Sequence, residues 1–175
     1  MTNTLSPQEL SERAKCIYQT GDFYAAVQAF AEAASAFAKA GDLPMSAEMK
    51  NNQSVALLRD NQAQAALEAA WGTEFIFVEA GDNRRQGMAL ANQASALVAL
   101  KRFKEAIDFY TRAGEALEKA GEVDFHLEVM QLLSVLYLRR LKFFDAVIAL
   151  QSGLAAVKHP TPRQRFMKKL LFFRL

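Results

Sequence analysis

Few side chains in this 175-residue sequence carry chemistry beyond packing. Two asparagines, Asn52 and Asn92, sit forty residues apart in comparable surroundings. A carboxamide offers a donor and an acceptor together, so two in one row could hold a polar ligand without reacting with it. Asn51, Arg59 and Ser95 lie in the same two stretches. Lys15 and Tyr18 come from the comparable stretch before them, and Gln131 and Arg139 from the one after. Groups that catalyse are sparse. His126 and His159 are the only histidines and lie far apart. Cys16 is the only cysteine, which excludes an internal disulfide and any multi-cysteine metal site. No Gly-rich phosphate loop, nucleophile elbow or paired metal-ligand motif occurs. Glu74, Glu79, Glu115 and Glu118 are expected on solvated helix faces. These residues point to binding, with no enzyme activity, metal or cofactor.

The elements that would position them follow from a repeat. Half of the residues are apolar (51%), Ala is abundant, and Gly (8) and Pro (4) are scarce, which favours helices. An Ala-Gly-acid triplet recurs at Ala40-Gly41-Asp42, Ala80-Gly81-Asp82 and Ala120-Gly121-Glu122. Gly after a helical run closes a helix, and the acid can cap the next one. Further breaks fall midway, near Gly21-Asp22, Asp60-Asn61, Lys101-Arg102 and Leu141-Lys142. Columns read at a spacing of 40 agree: Ala26, Ala66, Ala106 and Ala146, then Val27, Leu67, Ile107 and Val147. In the first helix of each pair the small Ala14, Ser54, Ala94 and Ser134 precede the large Ile17, Leu57, Leu97 and Tyr137 by three residues. Small residues let helices approach and large ones fill the remaining space, while stacked hairpins share one core. Ser6-Pro7, with Glu9 three residues after Ser6, opens the first helix as a capping box. Four hairpins are expected, at about 6–40, 43–80, 83–120 and 124–158, until Pro160 and Pro162 interrupt the pattern. The division is a repeat array over 1–160 and a basic amphipathic helix over 161–175.

Small-x-x-large, then Ala, an aromatic and a further small residue, as in Ala94, Leu97, Ala106, Tyr110 and Ala113, resembles the tetratricopeptide repeat (TPR) family. The 40-residue period is nearer its longer-helix variants, such as those of kinesin light chain-like proteins. The resemblance implies an all-α, right-handed helical-hairpin solenoid of four TPR-like repeats plus a C-terminal capping helix. It also implies a scaffold or adaptor that binds a peptide or partner protein in a concave groove lined by the first helices. On their exposed side would stand Lys15, Tyr18, Glu48, Asn51, Asn52, Arg59, Met88, Asn92, Ser95, Gln131 and Arg139. Asparagines similar to Asn52 and Asn92 hydrogen-bond the backbone of an extended peptide in kinesin light chain-like repeats. Glu12 and Leu132 interrupt that ladder, so the groove is expected to be short and centred on the second and third repeats. The alternative is that both amides meet local polar groups or water. The family's carboxylate clamp is matched only at Asn52.

Two other surfaces carry alternatives. Trp71, Phe75 and Val78 fall at i, i+4 and i+7, one helical stripe whose counterparts in other repeats are small or polar. They either fill space beside an Ala-rich helix or form a self-association patch. Residues 161–175 hold Arg163, Arg165, Lys168, Lys169 and Arg174 and no acid, leaving 16 bases against 19 acids in residues 1–160. In this tail Phe166, Met167, Leu170, Leu171 and Phe173 form one face, with Arg165, Lys168 and Lys169 opposite. It is expected to cap the array, or to reach a partner or an acidic membrane surface from residues 163–175. The net charge of +2 gives no sign of nucleic acid. With neither a signal-peptide pattern at the start nor a spanning apolar run, a soluble, cytoplasmic protein is expected, as a monomer or a homo-oligomer.

Overall fold

The computed structural model describes residues 5–172, the Phe172 side chain excepted. Within that range the chain forms ten helices: α1 (Pro7–Thr20), α2 (Phe23–Lys39), α3 (Leu43–Arg59), α4 (Ala63–Ala70), α5 (Thr73–Glu79), α6 (Asn83–Ala99), α7 (Phe103–Lys119), α8 (Val123–Arg139), α9 (Phe143–Ala155) and α10 (Pro162–Phe172). Helices α1 and α2 pack as a hairpin, as do α6 with α7 and α8 with α9; α3 is partnered by α4 and α5 together. Successive hairpins stack through α2 on α3, α4 and α5 on α6, and α7 on α8. The alanine column Ala26, Ala66, Ala106 and Ala146 is buried throughout, as are Ala14, Ser54, Ala94 and Ser134. These small side chains set the close approach of neighbouring helices, and a larger one in those columns would overpack by about 1–3 kcal/mol.

The turns repeat in backbone geometry as well as in sequence. Within hairpins, Gly21, Asn61, Lys101 and Leu141 hold left-handed φ values of 85°, 60°, 60° and 59°. Glycine adopts this conformation without a Cβ clash, whereas Leu141 does so with a branched side chain in solvent. At the Ala-Gly-acid triplets the acid's amide reaches back to close the preceding helix, Asp42 to Phe37, Asp82 to Phe77 and Glu122 to Leu117. Asp22, Asp42 and Asp82 then cap the next helix through their side chains. Glu122, one methylene longer, makes no cap and instead bonds the Arg84 guanidinium at 2.9 Å. Ser6 and Glu9 form the expected capping box on α1.

The second helix of the second hairpin departs from the expected continuous stripe. It breaks at Trp71-Gly72, where Trp71 is extended and Gly72 takes φ 79°. Thr73 Oγ1 donates to the Ala70 carbonyl at 2.7 Å and accepts from Asn51 Nδ2 at 3.0 Å, which fixes the break against α3. The register survives: Thr73, Glu74 and Phe77 are buried, as are Ala33, Ala34 and Phe37 in α2. Glu74 is therefore no solvated glutamate; its carboxylate lies in the interior and accepts from Gln93 Nε2 at 2.8 Å.

Helix α10 lies against α9. Its apolar face is divided: Met167 and Leu171 are half-buried, whereas Phe166 and Leu170 face solvent. Lys168, expected on the polar side, instead turns inward and donates to the Val157 carbonyl at 2.9 Å. A cleft of about 450 Å³ remains between α10 and the last hairpin, bordered by Val135, Leu138, Leu150 and Met167. Phe173 and Arg174 lie outside the described residues.

Candidate functional site

The first helices α3 and α6 carry Asn52 and Asn92 into one cleft. Stacked repeats make this possible, because residues forty apart take the same place on adjacent hairpins. The cleft has a free volume of about 100 Å³, and Asn51, Phe77, Met88 and Ala89 line it beside the two amides. Both Asn52 and Asn92 are half-buried. Neither side-chain amide is hydrogen-bonded to the protein among the described residues, so each has a donor and an acceptor free.

The charged rim is already matched. Arg85 lies with its guanidinium 5.3 Å from the Phe77 ring centre, its Nε 2.6 Å from Asp82 and its Nη1 3.2 Å from Glu48. The hydrogen bond to Asp82 pushes the Arg85 guanidinium above its ordinary range, against the opposing effect of partial burial. Burial works to raise the Asp82 carboxyl, but the Arg85 backbone amide and guanidinium outweigh it and hold Asp82 below the usual carboxylate range. Arg84 is turned to Glu122 and lies 5.5 Å from the Phe125 ring centre. With both arginines engaged by carboxylates, the cleft offers amides and an apolar floor, and no free cation among these lining residues.

The other residues singled out in the sequence occupy different environments. Asn51, expected on the exposed side, is buried: its Nδ2 donates to the Ala47 carbonyl and to Thr73 Oγ1, each at 3.0 Å, and its Oδ1 has no partner. It pins the start of α5 to α3. Tyr18 is half-buried, its ring tilted against those of Phe23 and Phe30 at ring-centre distances of 5.4 and 6.3 Å. Ser95 bonds the Ala91 carbonyl and the Tyr110 hydroxyl, each at 2.9 Å. Lys15 pairs with Glu12 on the surface of α1, and Arg59 lies 6.0 Å from the Phe23 ring centre at the end of α3. Gln131 borders the cleft under α10, and Arg139 is exposed at the end of α8. The structure thus brings Asn51, Asn52 and Asn92 together and leaves the remaining six elsewhere. Arg84, Arg85 and Phe77 complete the cleft and were missed. The signal for the arginines was their place in the first turn of the helix that carries Asn92.

Trp71, Phe75 and Val78 are 59%, 59% and 52% exposed. Trp71 is not free of neighbours: its ring packs on Phe109 of α7 at 5.8 Å, and the Arg112 guanidinium covers the other ring at 5.1 Å.

Comparison with known proteins bears on the fold. No protein-family model matches the chain, and no curated protein matches it either. Among solved structures it is similar to BtubC (BKLC) from P. vanneervenii, with a TM-score of 0.75 and 17% identity, covering 95% of this chain and 71% of that one. It is similar also to a protein of nearly identical TPR-like repeats from Podosopora anserina, assigned as a kinesin light chain. There the TM-score is 0.75 and the identity 18%, covering 96% of this chain and 86% of that one. The chain has the TPR-like helical-repeat fold.

Proposed function

We propose that this protein is a non-enzymatic interaction module, a cytoplasmic adaptor that binds an extended peptide segment of a partner across α3 and α6. The observation that carries this reading is the pair Asn52 and Asn92: both line one cleft, and neither side-chain amide is hydrogen-bonded among the described residues. A peptide backbone presents alternating acceptors and donors, and each carboxamide can meet one peptide unit with both groups. The neutralised rim of Arg84 and Arg85 favours recognition by shape and hydrogen bonding over recognition of an acidic motif. The fold supports the reading in general terms, since helical-hairpin arrays expose extended surfaces that suit partner binding.

Peptides selected from a display library on the wild-type protein provide the test, with affinities then measured on Asn52→Ala/Asn92→Ala. Losing two amide contacts of about 1 kcal/mol each weakens binding by roughly tenfold or more. Equal affinities for both proteins would remove the asparagines from the site.

A second reading, self-association through Trp71, Phe75 and Val78, is favoured by the exposure of all three. Sedimentation of the free protein separates the two, because assembly yields a defined oligomer without peptide and Phe75→Ser would dissolve it. A role at membranes would rest on the basic α10, with Arg163, Arg165 and Lys169 beside the exposed Phe166 and Leu170. No helix of the described residues is long and apolar enough to cross a bilayer.

A further inference from the structure

A second cleft, of about 250 Å³, opens between α7 and α9, the second helices of the third and fourth hairpins. Met130, Leu133 and Tyr137 of α8 form its floor, and Ile148 and Ala149 of α9 one wall. Its origin is visible one repeat earlier. Between the second and third hairpins the same space is filled by the packed rings of Trp71 and Phe109. Forty residues on, Thr111 stands in place of Trp71 and Ala149 in place of Phe109. Two large side chains are thus replaced by two small ones, and the volume they would occupy is open.

The rim has changed in step. Phe75 and Val78 are replaced by Glu115 and Glu118, both exposed and neither ion-paired among the described residues. Asp145 adds a third carboxylate from α9, shared with Lys142 at 3.6 Å. His126 in the wall is satisfied internally, through Nδ1 to the Gly114 carbonyl at 3.0 Å and Nε2 to Ser152 at 3.4 Å. The interior therefore asks for apolar surface, and the rim asks for positive charge. The volume lies below the roughly 300–1,000 Å³ of sites for drug-sized molecules and suits a single large side chain.

We infer that this α7–α9 cleft is a docking site for a peptide segment presenting one aromatic side chain flanked by arginine or lysine. The aromatic ring takes the place that Trp71 and Phe109 fill in the preceding seam, and the flanking cations meet Glu115 and Glu118. This site is separate from the asparagine cleft and shares none of its residues.

A fluorescein-labelled peptide of residues 161–171, TPRQRFMKKLL, is a suitable probe because it holds Phe166 among Arg163, Arg165, Lys168 and Lys169. Titrated with the full chain, it should give saturable anisotropy. Phe166→Ala in the peptide should weaken binding about tenfold or more, and Glu115→Lys/Glu118→Lys in the protein should do the same. Thr111→Trp/Ala149→Phe rebuilds the filling of the preceding seam and should abolish binding, with circular dichroism reporting the fold. Glu115→Gln/Glu118→Gln, a surface change, serves as the test if that variant fails to fold. Self-association of the full chain that Glu115→Lys/Glu118→Lys removes would make a second copy the source of the segment and support the same cleft. Absence of saturation at millimolar protein, or binding indifferent to both Phe166→Ala and the filled cleft, would overturn the inference.

Discussion

The seam between the second and third hairpins and the seam between the third and fourth are built from equivalent positions, yet one is closed and the other open. In the first, Trp71 and Phe109 pack ring on ring, and α5 carries Glu74 inward to meet Gln93. In the second, Thr111 and Ala149 leave a cleft, and Gly114, at the position of Glu74, gives its carbonyl to His126. The second helices start from the same left-handed turns, at Asn61, Lys101 and Leu141, although α4 and α5 are split at Trp71-Gly72 and α9 is shorter than α7, 13 residues against 17. A repeat array thus fixes where helices run while leaving the filling of each seam to individual side chains. Open clefts arise where that filling is withheld. The asparagine cleft obeys the same rule on the first-helix side, where the two amides have no hydrogen-bond partner among the described residues.

The comparison is broken most severely by Phe109→Ala. This ring is nearly buried, so its loss should cost about 3–4 kcal/mol in urea unfolding. Ile148→Ala on the open seam, 62% exposed, should change stability by less than about 1 kcal/mol. Similar losses for the two variants would mean that the seams do not differ in packing. Next in size is Glu74→Ala, which leaves the Gln93 amide buried without its acceptor. Thermal unfolding should register a loss of about 1–3 kcal/mol, and Glu74→Gln should recover most of it, since an amide oxygen accepts the same bond.

The smallest effect belongs to Asp82, whose carboxyl is held below its ordinary value of 3.8 while it caps α6 and pairs with Arg85. In the window between the folded and unfolded values the unfolded chain binds more protons. The stabilisation is therefore complete above the ordinary value and is lost as pH falls through the lower folded one. Asp82→Asn lacks this component. Its deficit in melting temperature against wild type should shrink between about pH 6 and pH 3, and a deficit that grows with acid would reverse the assignment.

The array was legible in the sequence because its determinants are local and repeated. Ala-Gly-acid marks the turns, the alanine columns mark the closest helix contacts, and Ser6 with Glu9 marks the first cap. Asn52 and Asn92 could be paired for the same reason: equal columns on adjacent first helices are neighbours. The seams were not legible, because each depends on two different columns facing one another. Trp71 meets Phe109, and no single column joins them. Glu74 was read by its residue type as solvated, although its column mates Ala34, Gly114 and Leu154 are all buried. Asn51 was placed outward by its nearness to Asn52, yet adjacent helix positions diverge by about 100°, and it turns to Thr73. The break at Gly72 escaped notice because an isolated glycine interrupts a helix only when neighbours such as Thr73 secure the freed groups.

The central claim is that Asn52 and Asn92 form the surface that receives a partner's peptide backbone. Side-chain amide resonances in a nitrogen–proton correlation spectrum report on those two groups directly. Addition of a display-selected peptide should shift the Asn52 and Asn92 carboxamides together with backbone amides of α3 and α6, leaving the surroundings of Trp71 unmoved. Shifts confined to Trp71, Phe75 and Val78, with both carboxamides unchanged at saturating peptide, would contradict it.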